Sequence, residues 1–229
     1  MLAILSQIQK TMSNFYRLFF CFVFLFLSGC QSNPTFDTFT TMLPWVKQYA
    51  QVQPGFEYIL VSANGHEALM ALGERRDSID EFKNRTHEYW YTGQGEMLYL
   101  VNGRIHQALG FTNEIRSQTS AEPPWEQLSK SSNSIAWGRK IDLMPGFRYG
   151  LVNNIITFKI AAPNFLPEHL PEPMHWIADL VESKRGDGQV WMYLQRFALY
   201  DGRVVYSEQC ITEKLCLKIR NLGVLVSSK

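Results

Sequence analysis

The sequence predicts an all-β fold, an antiparallel β-sandwich or partly closed barrel built from two sequence-related halves, with a few short helical turns. Three observations predict it. Apolar and polar residues alternate in short runs, as they do in half-buried strands. The runs are separated by Asn-Gly, Asp-Gly and Asn-Asn pairs, which suit two-residue type I′ turns because Gly and Asn tolerate positive φ. One pattern also occurs twice: Pro54-Gly55-Phe56-Glu57-Tyr58-Ile59-Leu60-Val61 matches Pro145-Gly146-Phe147-Arg148-Tyr149-Gly150-Leu151-Val152 at six of eight positions, 91 residues apart. Further on, Leu100-Val101-Asn102-Gly103-Arg104-Ile105 matches Leu199-Tyr200-Asp201-Gly202-Arg203-Val204 at an offset of 99. A duplication with an insertion of about eight residues in the second copy accounts for both offsets.

In chain order, Phe56, Tyr58 and Leu60 share one strand face before a turn at Asn64-Gly65, with Leu69 to Leu72 following. Asn102-Gly103 makes the second hairpin. In the other copy, Phe147, Tyr149 and Leu151 precede a turn at Asn153-Asn154, after which Ile156, Phe158 and Ile160 alternate with Thr157 and Lys159. Asp201-Gly202 makes the fourth hairpin, so the expectation is about eight strands. Trp90-Tyr91 and Trp191-Met192-Tyr193 fall within or extend strands leading into the later hairpins. Short helical turns are expected at Pro44 to Tyr49, Pro124 to Leu128 and Met174 to Val181, where a Pro stands at or near the start. Pro163 to Pro173 and Ser129 to Ser134 read as loops.

The N-terminus has a different purpose. Arg17 precedes the apolar run Leu18 to Leu27 and then Ser28-Gly29-Cys30. About ten apolar residues are too few to span a bilayer but match the hydrophobic region of a secretory signal. Leu27-Ser28-Gly29-Cys30 resembles the bacterial lipobox, in which the cysteine thiol is acylated and the chain is cut before it. Residues 1–29 therefore read as a removed signal peptide, Cys30 as the lipidated first residue, 30–53 as lipidated N-terminus and tether, and 54–229 as a single β domain. Within that domain the copies span about 54–128 and 145–229. Translation starting at Met12 would give a signal of more usual length. Gln31 following the cysteine, rather than Asp, points to the outer membrane and a domain facing the periplasm.

Losing the signal takes two of 22 basic residues and none of the 21 acidic ones, leaving 20 against 21. That balance carries no basic stripe for nucleic acid and no basic amphipathic helix for a second membrane contact. Cys21 leaves with the signal and Cys30 is consumed by lipid, so Cys210 and Cys216 remain. In an oxidising compartment this pair reads as a disulfide rather than as half of a metal site.

With these residues in view, the chain resembles the YjbF family of lipoproteins, the group 4 capsule lipoprotein family of GfcB. The resemblance rests on the lipobox, the length, Glu88-Tyr89-Trp90-Tyr91-Thr92 through Leu98, Asn102-Gly103-Arg104-Ile105, Leu109-Gly110-Phe111, and the later Asp201-Gly202-Arg203-Val204. It implies an all-β lipoprotein serving the production or export of capsule or other exopolysaccharide, with no enzyme activity and no cofactor. The chain departs from the family pattern around Phe165 to Ser183, where Pro and His are dense.

The residues themselves carry no G-x-S-x-G, H-E-x-x-H, Walker or G-x-G-x-x-G signature. His169 and His175 with Glu168 and Glu172 are the one weak metal pattern, read as a solvated loop. Glu67, Glu74, Asp77 and Asp80 could supply a carboxylate pair, but surface charge is the simpler reading. Trp90 with Arg104, and Trp191 with Arg203, hold similar places in the two copies and are candidate contacts for a glycan or protein partner, by ring stacking and guanidinium hydrogen bonds. The competing reading puts Trp in the core and pairs Arg with a carboxylate across the hairpin. Expected partners are the membrane, through the lipid, and polysaccharide or export proteins. The alternatives are an assembly factor for an outer-membrane barrel protein and a periplasmic glycan-processing enzyme.

Overall fold

A computed structural model of the chain describes residues 55–80, 83–130, 133–164, 170–184 and 188–223. These belong to the compact unit Gln48–Lys229. Cys30 and the expected helical turn at Pro44 to Tyr49 lie outside the described residues.

Twelve antiparallel strands form a closed barrel in which each strand pairs with its neighbours in sequence and the first pairs with the last. They are β1 (Tyr58–Ala63), β2 (His66–Asp80), β3 (Lys83–Tyr91), β4 (Met97–Val101), β5 (Arg104–Leu109), β6 (Glu114–Ser120), β7 (Ile135–Met144), β8 (Arg148–Lys159), β9 (His175–Lys184), β10 (Val190–Tyr200), β11 (Arg203–Thr212) and β12 (Leu215–Asn221). A single short helix among the described residues, α1 (Trp125–Lys130), joins β6 to β7. Closure leaves no strand edge unpaired. Odd-numbered strands start at one rim, called proximal here, and even-numbered strands start at the distal rim.

Three of the four expected turns form as the residue types require. Asn64-Gly65, Asn102-Gly103 and Asp201-Gly202 have φ of 51° and 83°, 49° and 77°, and 48° and 74°, the paired positive values of a type I′ turn. The fourth is a correction. Chain reversal occurs earlier, at Pro145-Gly146-Phe147, where Gly146 and Phe147 have φ of 103° and 51°, and β8 runs unbroken through Asn153-Asn154. Because the strand is unbroken, Tyr149 and Leu151 share a side with the inward residues, and only Ile156 and Phe158 fall on the side opposite to the one expected. Asn153, Ile155 and Thr157 point into the barrel and are buried, while Val152 and Ile156 stand on the exposed outer wall. Met174 to Val181 is likewise not helical, because His175 opens the long strand β9. The helical turn expected at Pro124 to Leu128 corresponds to α1.

The matched motifs do not define strand-for-strand copies. Four strands separate the Pro-Gly-Phe motif from the Asn102-Gly103 turn, and three separate it from the Asp201-Gly202 turn. Both tight turns nevertheless stand at the proximal rim.

A barrel of eight strands has an interior that side chains just fill, so twelve strands need a further device. Here opposite walls approach one another and α1 fills the proximal lumen. Gln209 of β11 accepts from the Ile105 N–H of β5 and donates to the Gly103 carbonyl, both at 2.8 Å. A register shift between Tyr99 and Leu100 leaves His106 as the extra residue of β5, between Gln107 opposite Tyr99 and Ile105 opposite Leu100. The distal half is an apolar core including Met70, Trp90, Leu98, Ile141 and Leu217. The proximal half packs Trp125 and Leu128 of α1 on Ile177, Phe197 and Leu199. On the outer wall, Leu170 and Met174 from the Pro-rich connection cover Trp176 and Tyr206. At the distal rim, Cys210 and Cys216 are directly opposed in the β11–β12 ladder and joined by a disulfide, with Cα atoms 3.8 Å apart.

Candidate functional site

The proximal mouth is a cleft of about 430 Å³ between the two tight turns, the start of β1, the ends of β2 and β12, and α1. Its lining includes Glu57, Arg75, Asp77, Glu88, Trp125 and Arg203. Strand alternation explains the charges: β2 and β3 extend past their neighbours at this rim, so inward positions that would be core at mid-barrel face water. Arg75 sits between two carboxylates. It donates through both Nη atoms to Glu57 at 2.6 Å and through Nε to Glu88 at 2.9 Å. Hydrogen bonding from Arg75 holds the Glu57 carboxyl below its ordinary range against a smaller opposing effect of burial, and Arg203 acts in the same direction. Glu88 also accepts a long bond of 3.4 Å from the Trp90 indole, which ties the mouth to the core beneath it.

Beside this cleft lies a buried ion pair. Arg104 donates to Asp179 through Nε at 2.8 Å and Nη2 at 3.2 Å, and Thr157 donates to the same carboxylate at 2.6 Å. The guanidinium lies 3.6 Å over the Trp125 ring, with Trp137 and Phe197 farther off. Trp125 in turn donates to the Asn102 carbonyl at 2.8 Å, so the β4–β5 turn, α1 and the ion pair form one assembly.

The candidate contact residues separate accordingly. Trp90 is 0% exposed and Arg104 2%, so neither lines a surface groove; alternation points Trp90 into the core, and Asp179 draws Arg104 inward. Trp90 is thus in the core, as the competing reading has it, but the carboxylate that Arg104 meets is Asp179 on β9 and not one across its own hairpin. Arg203 is exposed in the cleft, whereas Trp191 is half-buried at the distal rim, stacked on Tyr193 with ring centroids 3.9 Å apart. Nine residues of β10 separate their levels, about 30 Å of strand, so they share no groove. Of the weaker patterns, Glu67 and His175 are exposed, Glu74 pairs with Arg76, and no group able to hold a metal ion occurs among the described residues. Asp77 is in the cleft, accepting from Thr86.

Sequence reading missed Glu57, Arg75 and Glu88 as a unit. The available cue was Glu57, which lies within the Pro-Gly-Phe motif.

A second polar cluster lies on the outer wall. Ser78 Oγ is 2.8 Å from His87 Nε2, and His87 Nδ1 is 2.6 Å from the Tyr99 hydroxyl. Burial, reinforced by Tyr89, pushes the Tyr99 phenol up to about 12. Ser78 is within the β2–β3 ladder, opposite Arg85, and not at a turn that could aim backbone N–H groups at an oxyanion.

The family model for the group 4 capsule polysaccharide lipoprotein (gfcB, YjbF) matches residues 43–220. The chain belongs to the YjbF family. A crystal structure of the hypothetical lipoprotein YmcC from Escherichia coli K12 has the same fold, with a TM-score of 0.58 at 16% identity, covering 84% of this chain and 97% of that one. No curated protein matches the chain. The YjbF match takes in every strand of the barrel except the final residue of β12, so the buried ion pair and all of the cleft lining but Asn221 and Gly223 lie within the matched residues.

Proposed function

We propose that this YjbF-family chain is a lipoprotein of the outer membrane, acylated at Cys30 and facing the periplasm, that serves capsule or exopolysaccharide production or export as a non-catalytic accessory factor. The observation that carries this reading is the family match across the barrel. Support for binding over catalysis comes from the cleft. A glycosidase needs one carboxylic acid kept protonated near neutral pH, and here both Glu57 and Glu88 are bonded to Arg75, with Glu57 held further ionised. Arg203 is the exposed cleft cation able to meet a glycan or a partner protein.

The test is deletion of the gene, complemented with wild-type chain, with Cys30→Ala and with Arg203→Ala. Surface polysaccharide should fall on deletion, return with the wild type, and stay low with Cys30→Ala, whose N-terminal mass should lack acyl groups. Unchanged surface polysaccharide on deletion, where neighbouring genes are needed for it, would refute the export role. Co-purification of a barrel protein whose assembly fails on deletion would favour an assembly factor instead.

A further inference from the structure

Six of the eight large apolar side chains that stand exposed among the described residues belong to one stretch of wall, from β7 to β10. Phe147 and Tyr149 are at the distal β7–β8 turn and the lip beside it, Val152 and Ile156 are on the outer wall of β8, and Val190 and Met192 open β10 at the distal rim. Ladder registers join them on one face. Ile156 is opposite Ala136 of β7 and Leu180 of β9, while Asn154 is opposite Glu182, which is opposite Met192. These outward side chains line a shallow groove of about 490 Å³ that passes over Gly138, where no side chain fills it. Single exposed apolar residues are ordinary on a protein surface, but a contiguous face of them marks a contact.

The charges beside this face identify what it meets. Lys140 is opposite Val152, Lys184 is opposite Val190, and Arg148 stands between Phe147 and Tyr149 in the chain; all three are exposed. The acids of the same wall are already engaged. Glu182 accepts from Asn154 at 3.3 Å, and Asp142 accepts from the Gln118 amide at 2.8 Å and the Gly150 N–H at 2.9 Å. Lysine is depleted in contacts between proteins, and a second copy docked symmetrically on this face would bring the same three cations into the contact. A phospholipid surface suits the arrangement better. Aromatic and aliphatic tips enter the boundary between headgroups and acyl chains, while the long basic side chains beside them reach the phosphates.

We propose that this distal corner of the barrel docks on an anionic phospholipid surface, with Phe147, Val190 and Met192 entering the lipid and Lys140, Arg148 and Lys184 meeting phosphates. The docking is independent of the polysaccharide role and rests on the lipid anchor proposed above only for its persistence in the cell. From Cys30 to Gly55 is 25 residues, up to about 80 Å of chain, whereas the 12 residues of β8 span about 40 Å. An anchor joined to the proximal rim therefore leaves the distal corner within reach of the same bilayer. Anchoring makes the docking intramolecular, so a modest intrinsic affinity is enough to orient the barrel and leave the proximal cleft facing away from the membrane.

The experiment uses the mature chain carrying Cys30→Ala, so that no acyl group contributes, in flotation with vesicles of phosphatidylcholine alone or mixed with phosphatidylglycerol. The chain should float with the mixed vesicles, far less with phosphatidylcholine alone, and be released by salt. Phe147→Ala should weaken partitioning about tenfold through loss of an inserted ring, and Met192→Ser, on a separate strand, should weaken it as well. Arg148→Glu with Lys184→Glu should weaken it about tenfold or more. Phe56→Ala, an exposed ring at the proximal rim, should float as the wild type does. No flotation with phosphatidylglycerol, or wild-type flotation of both Phe147→Ala and Met192→Ser, would overturn the docking face. Equal flotation with both lipids would overturn the role of the cations. A dimer in analytical ultracentrifugation that Phe147→Ala and Met192→Ser both dissolve would assign the face to a second copy instead. These readouts use an unacylated chain and no polysaccharide, so the docking fails separately from lipidation at Cys30 and from the export role.

Discussion

At the scale of single residues, the buried Arg104–Asp179 pair is the most consequential feature. It is buried and enclosed by Trp125, Trp137 and Phe197. Removing one partner leaves an unpaired buried charge, which costs about 3–5 kcal/mol, whereas replacing both with apolar residues of similar volume is often close to neutral. Asp179→Ala should therefore lower stability by about that amount in urea unfolding, and Arg104→Met with Asp179→Leu should recover most of it. A double variant no more stable than the single would show that Arg104 is needed for its stacking on Trp125 rather than for its charge. Tyr99 offers a separate check. Its raised pKa means that folding favours the neutral phenol. Its contribution is intact below the unfolded-state value and declines as pH rises from about 10 towards about 12. Ultraviolet titration of wild type minus Tyr99→Phe should show one phenol ionising near 12, and a difference centred near 10 would contradict its burial. The Trp and Arg positions of the two matched motifs were legible in the sequence, but their direction was not. Whether Arg104 turns inward depends on Asp179, 75 residues away, and no local pattern reveals that partner.

At the scale of elements, the turn chemistry was legible wherever the two central residues alone decide the backbone, as at Asn64-Gly65, Asn102-Gly103 and Asp201-Gly202. It misled at Asn153-Asn154 because the Pro145-Gly146-Phe147 turn had already reversed the chain, and Asn153 could then serve as an inward residue of a polar lumen wall. The two glycines that look equivalent in sequence are not equivalent in space. At Gly202 a Cβ would meet nothing within 4 Å, whereas at Gly103 it would stand 2.6 Å from the Val204 Cβ on the facing turn. Gly202→Ala should cost only the strain of a side chain at positive φ, about 1–2 kcal/mol. Gly103→Ala should add an overpacking cost of about 1–3 kcal/mol and displace the Gln209 bond to the Gly103 carbonyl. Thermal melts of the two variants check this. Equal losses would mean that the turns do not meet across the mouth.

At the scale of the whole molecule, the sequence indicated an antiparallel β fold because alternation and turns are local, but the strand number and closure were not local. About eight strands were expected and twelve form, because β8 is one strand where two were expected, and β3, β6, β7, β9 and β12 border no two-residue turn signal of the Asn-Gly type. Closure depends on the β1–β12 ladder, in which Ile59 is opposite Asn221 and Ser62 is opposite Lys218. That ladder brings the start of β1 and the end of β12 to the same rim, within about 5 Å of one another. Two rearrangements of the chain then have opposite expected outcomes. Ending the chain after Glu213 removes β12, exposes the facing edges of β1 and β11, and strips Leu217 and Ile219 from the core; such open edges promote pairing between molecules. A circular permutant opened between Glu213 and Lys214, with a short linker from Gly223 to Gly55, keeps all twelve strands and every ladder. The truncated chain should aggregate or lose its cooperative transition, and the permutant should remain monomeric and melt in one transition with its Cys210–Cys216 bond joining the new terminal strands. Scanning calorimetry and size-exclusion chromatography of the two chains decide the matter. A soluble, cooperatively folded truncation would mean that β12 is dispensable and that the barrel does not depend on its closure.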